Sequence, residues 1–178
     1  MTSPAAVRYP IDAIDAMDAA QFSAAFGKVY EHSPWIAERA FAQRPAGGFG
    51  SRAAIHAALV ATVHSASETE QVELLRAHPE LAGKEAAAGS MTAESTSEQS
   101  VAGLTALSRE EVDRLRALNA NYSAKFGFPF IIVARNNTKA AIFGTLAARL
   151  HNTREMELRN ALAQVGEIAR LRLLDLVG

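Results

Sequence analysis

The sequence predicts an all-α fold, a single-domain bundle of about seven to nine helices. Three observations point there. Helix caps and apolar positions at helical spacing recur along the chain. Much of the 49% hydrophobic share is alanine, which favours helix over sheet. A single run, Phe130 to Val133, has the composition of a buried strand, and no second run of equal quality is there to pair with it.

Asp18 to Tyr30 sets Phe22, Phe26 and Val29/Tyr30 on one helical stripe. Ser33-Pro34 reads as an N-cap followed by proline at the first helical position, opening a helix toward Gln43. Pro45 to Gly50 is a loop, after which Ser51 caps a helix carrying Ile55, Leu59 and Val63. Ser67 with Glu70 forms a capping box for a short helix that ends at His78-Pro79. Gly83 to Thr96 is polar, small and irregular. Ser108 with Glu111 is a second capping box, starting a helix to Phe126. Asn136 to Thr138 breaks the chain before a helix over 139–151, and Thr153 opens a long final helix to Leu176. The run after Phe126 is the exception. A lone buried strand leaves backbone donors and acceptors unmet. It is therefore either an extended entry into a buried turn or helix, or a segment whose backbone faces something bound.

At 178 residues the chain suits one domain of roughly 100–200 residues with a real core. A formal charge of −1 lacks the basic excess of a nucleic-acid binder. The absence of cysteine excludes disulfides, thiolate metal sites and a cysteine nucleophile. Met1 to Pro10 holds one basic residue, Arg8, and no apolar stretch of signal type. No apolar run approaches the ~18 residues of a membrane helix, and the C-terminus carries no peroxisomal address. A cytoplasmic protein with no membrane or nucleic-acid partner is the expectation.

Three places carry chemistry. Proline at 79 forces the preceding helix to end near His78. A helix C-terminus favours protonated imidazole, so His78 is either a general acid or a surface residue that ends a helix. Ser95 and Glu98, spaced i, i+3, share a face with Gln99, although Ser-x-x-Glu is also a capping box. In the last helix the apolar ladder Leu158, Ala161, Val165, Ile168 has Arg172 as its next rung. A guanidinium there either snorkels to water or meets a carboxylate, because an unpaired buried charge is costly. Arg159 and Arg170 lie off the stripe. The five histidines form no His-x-x-x-His or Glu-x-x-His pair, so no metal site is expected. The Gly47-Gly48-Phe49-Gly50 loop lacks the lysine of a phosphate loop, and no Gly-x-Ser-x-Gly elbow occurs.

Four stretches occur in order: His78-Pro79-Glu80-Leu81-Ala82-Gly83-Lys84, Ser95-x-x-Glu98-Gln99-x-x-Ala102-Gly103-Leu104, Phe126-Gly127-Phe128-Pro129-Phe130-Ile131, and Ile168-Ala169-x-x-Arg172-Leu173. With these the chain closely resembles the 2-oxo-4-hydroxy-4-carboxy-5-ureidoimidazoline (OHCU) decarboxylase family. The likeness takes in residues 18–178; the alanine-rich stretch 1–17 is poorly matched and touches no motif. The resemblance implies an all-helical, cofactor-free carboxy-lyase of urate degradation that makes (S)-allantoin, commonly as a homodimer. It implies catalytic roles for His78, Glu98 and Arg172. It implies substrate binding by Pro79, Ser95, Gln99 and the backbone of Phe130, Ile131 and Ile132. No metal and no cofactor are implied.

Two other classes compete. Hydrolysis of a cyclic amide or imine would need an activated water, usually from a metal, and no ligand set is visible. A non-catalytic helical binding or scaffold domain would leave His78, Glu98 and Arg172 apart and solvated, whereas the lyase reading has them converge on one anionic heterocycle.

Overall fold

The computed structural model of the chain describes residues 8–83, 89 and 91–178. Among them are nine α-helices: α1 (Ile11–Asp15), α2 (Ala19–Phe26), α3 (Trp35–Ala42), α4 (Arg52–Ser65), α5 (Glu68–Ala77), α6 (Ala93–Val101), α7 (Arg109–Phe126), α8 (Lys139–Arg149) and α9 (Arg154–Leu176). Two 3-10 turns, Leu104–Ala106 and Ala134–Asn136, complete the regular structure. No sheet forms among the described residues; an isolated parallel bridge joins Tyr9 to Val177. The expected all-α class holds, and no described helix is long and apolar enough to cross a membrane. Lys84 of the first motif lies outside the described residues.

The chain forms two compact units. The first holds residues up to Ser67 together with Gly166–Gly178. Its centre is aromatic: the Phe22 ring lies 4.6 Å from Phe26 and 5.3 Å from both Phe41 and Phe49, centroid to centroid. Offset and tilted rings at such separations are the favoured packings. Around them Ile14, Ile36, Ile55 and Leu59 are fully buried. Asp18 starts α2 with a complete capping box to Gln21, and Ser51 caps α4 by accepting from the Ala54 N–H. At α3 the cap position falls to Pro34, one residue beyond the expected Ser33. Ser33 contributes its carbonyl instead, accepting from the Ile36 N–H at 3.2 Å.

Residues 9–17, unmatched to any motif, are built into this unit. Ile14 is buried, and the Tyr9 N–H donates to the Leu176 carbonyl at 2.8 Å. Arg44 serves the orphan carbonyls at the end of α1, donating to Asp15 O at 3.2 Å and Met17 O at 3.1 Å. The Asp15 carboxylate accepts from the Phe49 N–H at 2.6 Å and the Gly50 N–H at 3.0 Å. Gly48 is required here: its φ is +90°, and a Cβ would lie 2.3 Å from Asp15 Cγ.

The second unit is Glu68–Val165. Ser108 and Glu111 form the expected capping box on α7, and Thr138 caps α8 through the Ala141 N–H. Helices α7 and α8 pack together, and the Lys139 ammonium meets the Glu111 carboxylate at 2.6 Å. The core of this unit is a second aromatic group: Tyr122 lies 4.6 Å from Phe126, 5.4 Å from Phe130 and 6.2 Å from Phe128.

Replacing Asp15 by alanine strands two loop N–H groups. It is expected to cost about 2 kcal/mol, lowering the melting temperature by about 4–8 °C in a calorimetric or dichroism scan.

Candidate active site

Helix α5 ends at Ala77, and the His78 N–H closes its last turn onto the Leu75 carbonyl at 3.2 Å. Proline at 79 forbids a further turn, as the sequence implied. The His78 ring is half-buried and Pro79 is buried. The chain then doubles back through Glu80–Gly83, with the Gly83 N–H donating to the Glu80 carbonyl at 3.1 Å. Ala82 adopts φ +48°, in the left-handed region that non-glycine residues avoid. Such a residue persists only where its surroundings hold it. Two buried amides do so: the Ala82 N–H donates to Gln99 Oε1 at 2.9 Å, and Asn119 Nδ2 donates to the Leu81 carbonyl at 3.1 Å.

Helix α6 therefore braces the His78 turn. The capping alternative for Ser95 does not survive: Thr92 is the cap, its hydroxyl accepting the Ser95 N–H at 3.2 Å. Ser95 and Glu98 both lie inside the helix, Ser95 buried and Glu98 half-buried, with Gln99 buried on the same face. Gln99 spends its oxygen on Ala82 and one amide hydrogen on Met91 Sδ at 3.2 Å. Helix α6 also packs on the 3-10 turn Ala134–Asn136, directly after the Phe130–Val133 run.

That run is buried, without regular secondary structure, and unpaired by any strand. Side chains serve its backbone. Arg149 Nη1 donates to the Ile131 carbonyl at 2.9 Å, the Val133 N–H donates to Gln164 Oε1 at 2.9 Å, and Asn137 Nδ2 donates to the Val133 carbonyl at 2.9 Å. Among the described residues no hydrogen bond reaches the N–H groups of Phe130, Ile131 and Ile132 or the carbonyls of Phe130 and Ile132. These residues are at most 7% exposed.

Arg149 is itself held by a buried carboxylate. Glu157, fully buried, accepts from Arg149 Nε at 2.8 Å, from Asn152 at 2.6 Å, from Asn160 at 2.8 Å and from the Tyr122 hydroxyl. Burial pushes the Glu157 carboxyl up, but the Tyr122, Asn152 and Asn160 hydrogen bonds and the Arg149 charge outweigh it, leaving it below the usual carboxylate range. Burial, aided by the Glu157 hydrogen bond, pushes the Tyr122 hydroxyl up, so it stays a donor.

Arg172 belongs to the first unit. It is 4% exposed and takes the second of its two expected environments: Nη2 meets Glu31 Oε2 at 3.4 Å, and Nη1 donates to the Val29 carbonyl at 3.3 Å. Glu31 is buried too, and the next residue, His32, has φ +57°. By contrast Arg159 and Arg170 are exposed and paired with Glu155 and Glu167 on their own helix.

The structure thus brings His78, Pro79, Ser95, Glu98, Gln99 and Phe130–Ile132 into one unit and sets Arg172 beside Glu31 in the other. Sequence reasoning missed Glu31, Asn119, Arg149, Glu157 and Gln164. Glu157 had a signal: it lies four residues before Ala161, on the same buried stripe, whereas Leu158, the expected first rung, is half-buried. The others sit in no period that marks them.

What these features define is an all-helical domain with polar side chains aimed at backbone and at one another inside two aromatic cores. A family model described as OHCU decarboxylase matches residues 15–174. The chain is 41% identical to mouse 2-oxo-4-hydroxy-4-carboxy-5-ureidoimidazoline decarboxylase over 165 residues, 93% of this chain and 91% of that protein. It superimposes on a crystal structure of (S)-allantoin synthase with a TM-score of 0.73 at 29% identity, covering 97% of this chain and 54% of that one. A second solved structure, an OHCU decarboxylase in the presence of (S)-allantoin, gives 0.62 at 25% identity over 78% of this chain and 87% of that one. The chain belongs to the OHCU decarboxylase family.

Glu157 sets an acid limit. A depressed native pKa contributes stability that is present above the unfolded value, near 4.5, and is lost as pH falls through the native one. Glu157→Gln is expected to lower stability by about 3 kcal/mol at pH 7. The gap to wild type is expected to narrow in thermal melts below about pH 4.

Proposed function

We propose that this protein removes carbon dioxide from OHCU to give (S)-allantoin in urate degradation, without a cofactor. The observation that carries the reading is the hydrogen bond from the Ala82 N–H to Gln99, which fixes the His78 turn against the helix bearing Ser95 and Glu98. Membership of the family supplies the reaction class.

The chemistry suits such a site. Breaking the bond to the carboxylate releases an electron pair that needs a sink, which many enzymes obtain from a cofactor. In OHCU the carbon bearing the carboxylate adjoins a ring C=N, which takes the pair. The ring nitrogen takes up one proton as it receives the pair. The enol-like species then gains a proton on carbon as its hydroxyl loses one and becomes a carbonyl, so the net change is loss of carbon dioxide and uptake of one proton. The protein's task is to bind, orient and move protons. His78 assists at the hydroxyl as carbon dioxide leaves. Glu98 orients His78 or holds the ureido N–H groups. Pro79, Ser95 and Gln99 hold the ring together with the free backbone groups of Phe130, Ile131 and Ile132. Arg172 anchors an anionic or carbonyl oxygen through its planar fork. The same reading makes the protein a cytoplasmic homodimer, checked by light scattering of the purified protein.

The test is freshly generated OHCU, with a chelator present, followed by circular dichroism. Rapid growth of the (S)-allantoin signal is expected; slow racemic product at the background rate would refute the proposal. His78→Ala and Glu98→Ala are expected to cut turnover by about 10²–10⁴ while leaving the helical spectrum unchanged. Near-normal turnover in folded His78→Ala would remove histidine from the mechanism.

A further inference from the structure

Resting on the function just proposed, we propose that Arg149 is a positioning residue for the reaction. Its guanidinium clamps the Phe130–Ile132 backbone in the conformation that presents the free N–H and carbonyl groups to the substrate ring. Gln164 completes the clamp from α9.

The clamp holds that segment in two ways. Arg149 Nη1 donates to the Ile131 carbonyl at 2.9 Å, and the guanidinium carbon sits 4.7 Å from the centre of the Phe130 ring. The Arg149 side chain is 11% exposed, and Nε on Glu157 at 2.8 Å fixes the plane of the fork. With the run tied down at Ile131, Gln164 fixes its far end through the Val133 N–H. The groups left over are those of Phe130, the Ile131 N–H and both polar groups of Ile132. A buried segment outside any helix or sheet has no ladder to set its φ and ψ, so side chains from α8 and α9 must set them. Lysine cannot replace arginine here. An ammonium is a point charge that cannot reach a carbonyl and a carboxylate along two fixed directions while stacking on a ring.

Arg149 touches no reacting atom in this scheme, so its loss acts on binding. Uniform weakening of substrate contacts raises KM and leaves kcat alone. A merely structural defect does the reverse, lowering kcat through a smaller folded fraction at unchanged KM. With OHCU as substrate, Arg149→Lys is expected to raise KM at least tenfold with kcat within about threefold of wild type. Gln164→Met, which removes the acceptor for Val133 N–H, is expected to raise KM likewise, and Gln164→Glu, which keeps an acceptor oxygen, to restore it. If Arg149→Lys does not fold, the Gln164 pair decides alone. Wild-type KM in Gln164→Met, or a KM raised equally in Gln164→Glu, overturns the clamp, as does Arg149→Lys with wild-type KM. In all these cases wild-type turnover of OHCU leaves the functional proposal standing. A wild-type protein inert toward OHCU overturns both.

Discussion

The polar architecture of the second unit follows from one constraint: a buried, apolar, irregular run that no strand pairs with. Backbone groups in such a run must find partners elsewhere or cost about 1–3 kcal/mol each. Arg149, Gln164 and Asn137 supply part of what is needed. Each remedy creates a further need. A nearly buried arginine requires a carboxylate, which Glu157 provides. A fully buried carboxylate requires donors, and Tyr122, Asn152 and Asn160 provide them. The chain of obligations ends at residues that can reach water or are neutral amides and phenols. Around Arg149 and Glu157 the side chains form a satisfied network of the kind that gives one defined geometry.

The first unit meets smaller versions of the same problem in the same manner. Asp15 answers loop N–H groups at Phe49 and Gly50, and Arg44 answers the carbonyls at the end of α1. Arg172 answers Val29 and pairs with Glu31 just before a left-handed His32. A non-glycine residue held at positive φ beside a buried ion pair marks a segment whose shape is imposed by its neighbours.

The function proposed above asks for rigidity in whatever holds the substrate ring. Most of the rate advantage must come from orientation and from donors set in place before the substrate arrives. In the second unit a left-handed Ala82, a proline-stopped helix and a clamped buried run are features that fix backbone rather than let it adapt. The polar side chains mostly point at main chain, which is why few of them announce themselves as chemical groups.

Local physics in the sequence was enough for the helices. Ser51, and Ser108 with Glu111, cap where their spacing says, since caps act within three residues. Proline after His78 stops α5, and the ladder of α9 places Arg172 inside. The sequence likewise showed that Phe130–Val133 needed partners. Which groups answer was decided only by the tertiary fold. Thr92 rather than Ser95 caps α6, Gln99 reaches Ala82, Arg149 reaches Ile131, and Glu31 reaches Arg172 across 141 positions. Periodicity tells which side of a helix is buried; the residue facing it depends on how distant segments pack, which no local pattern encodes.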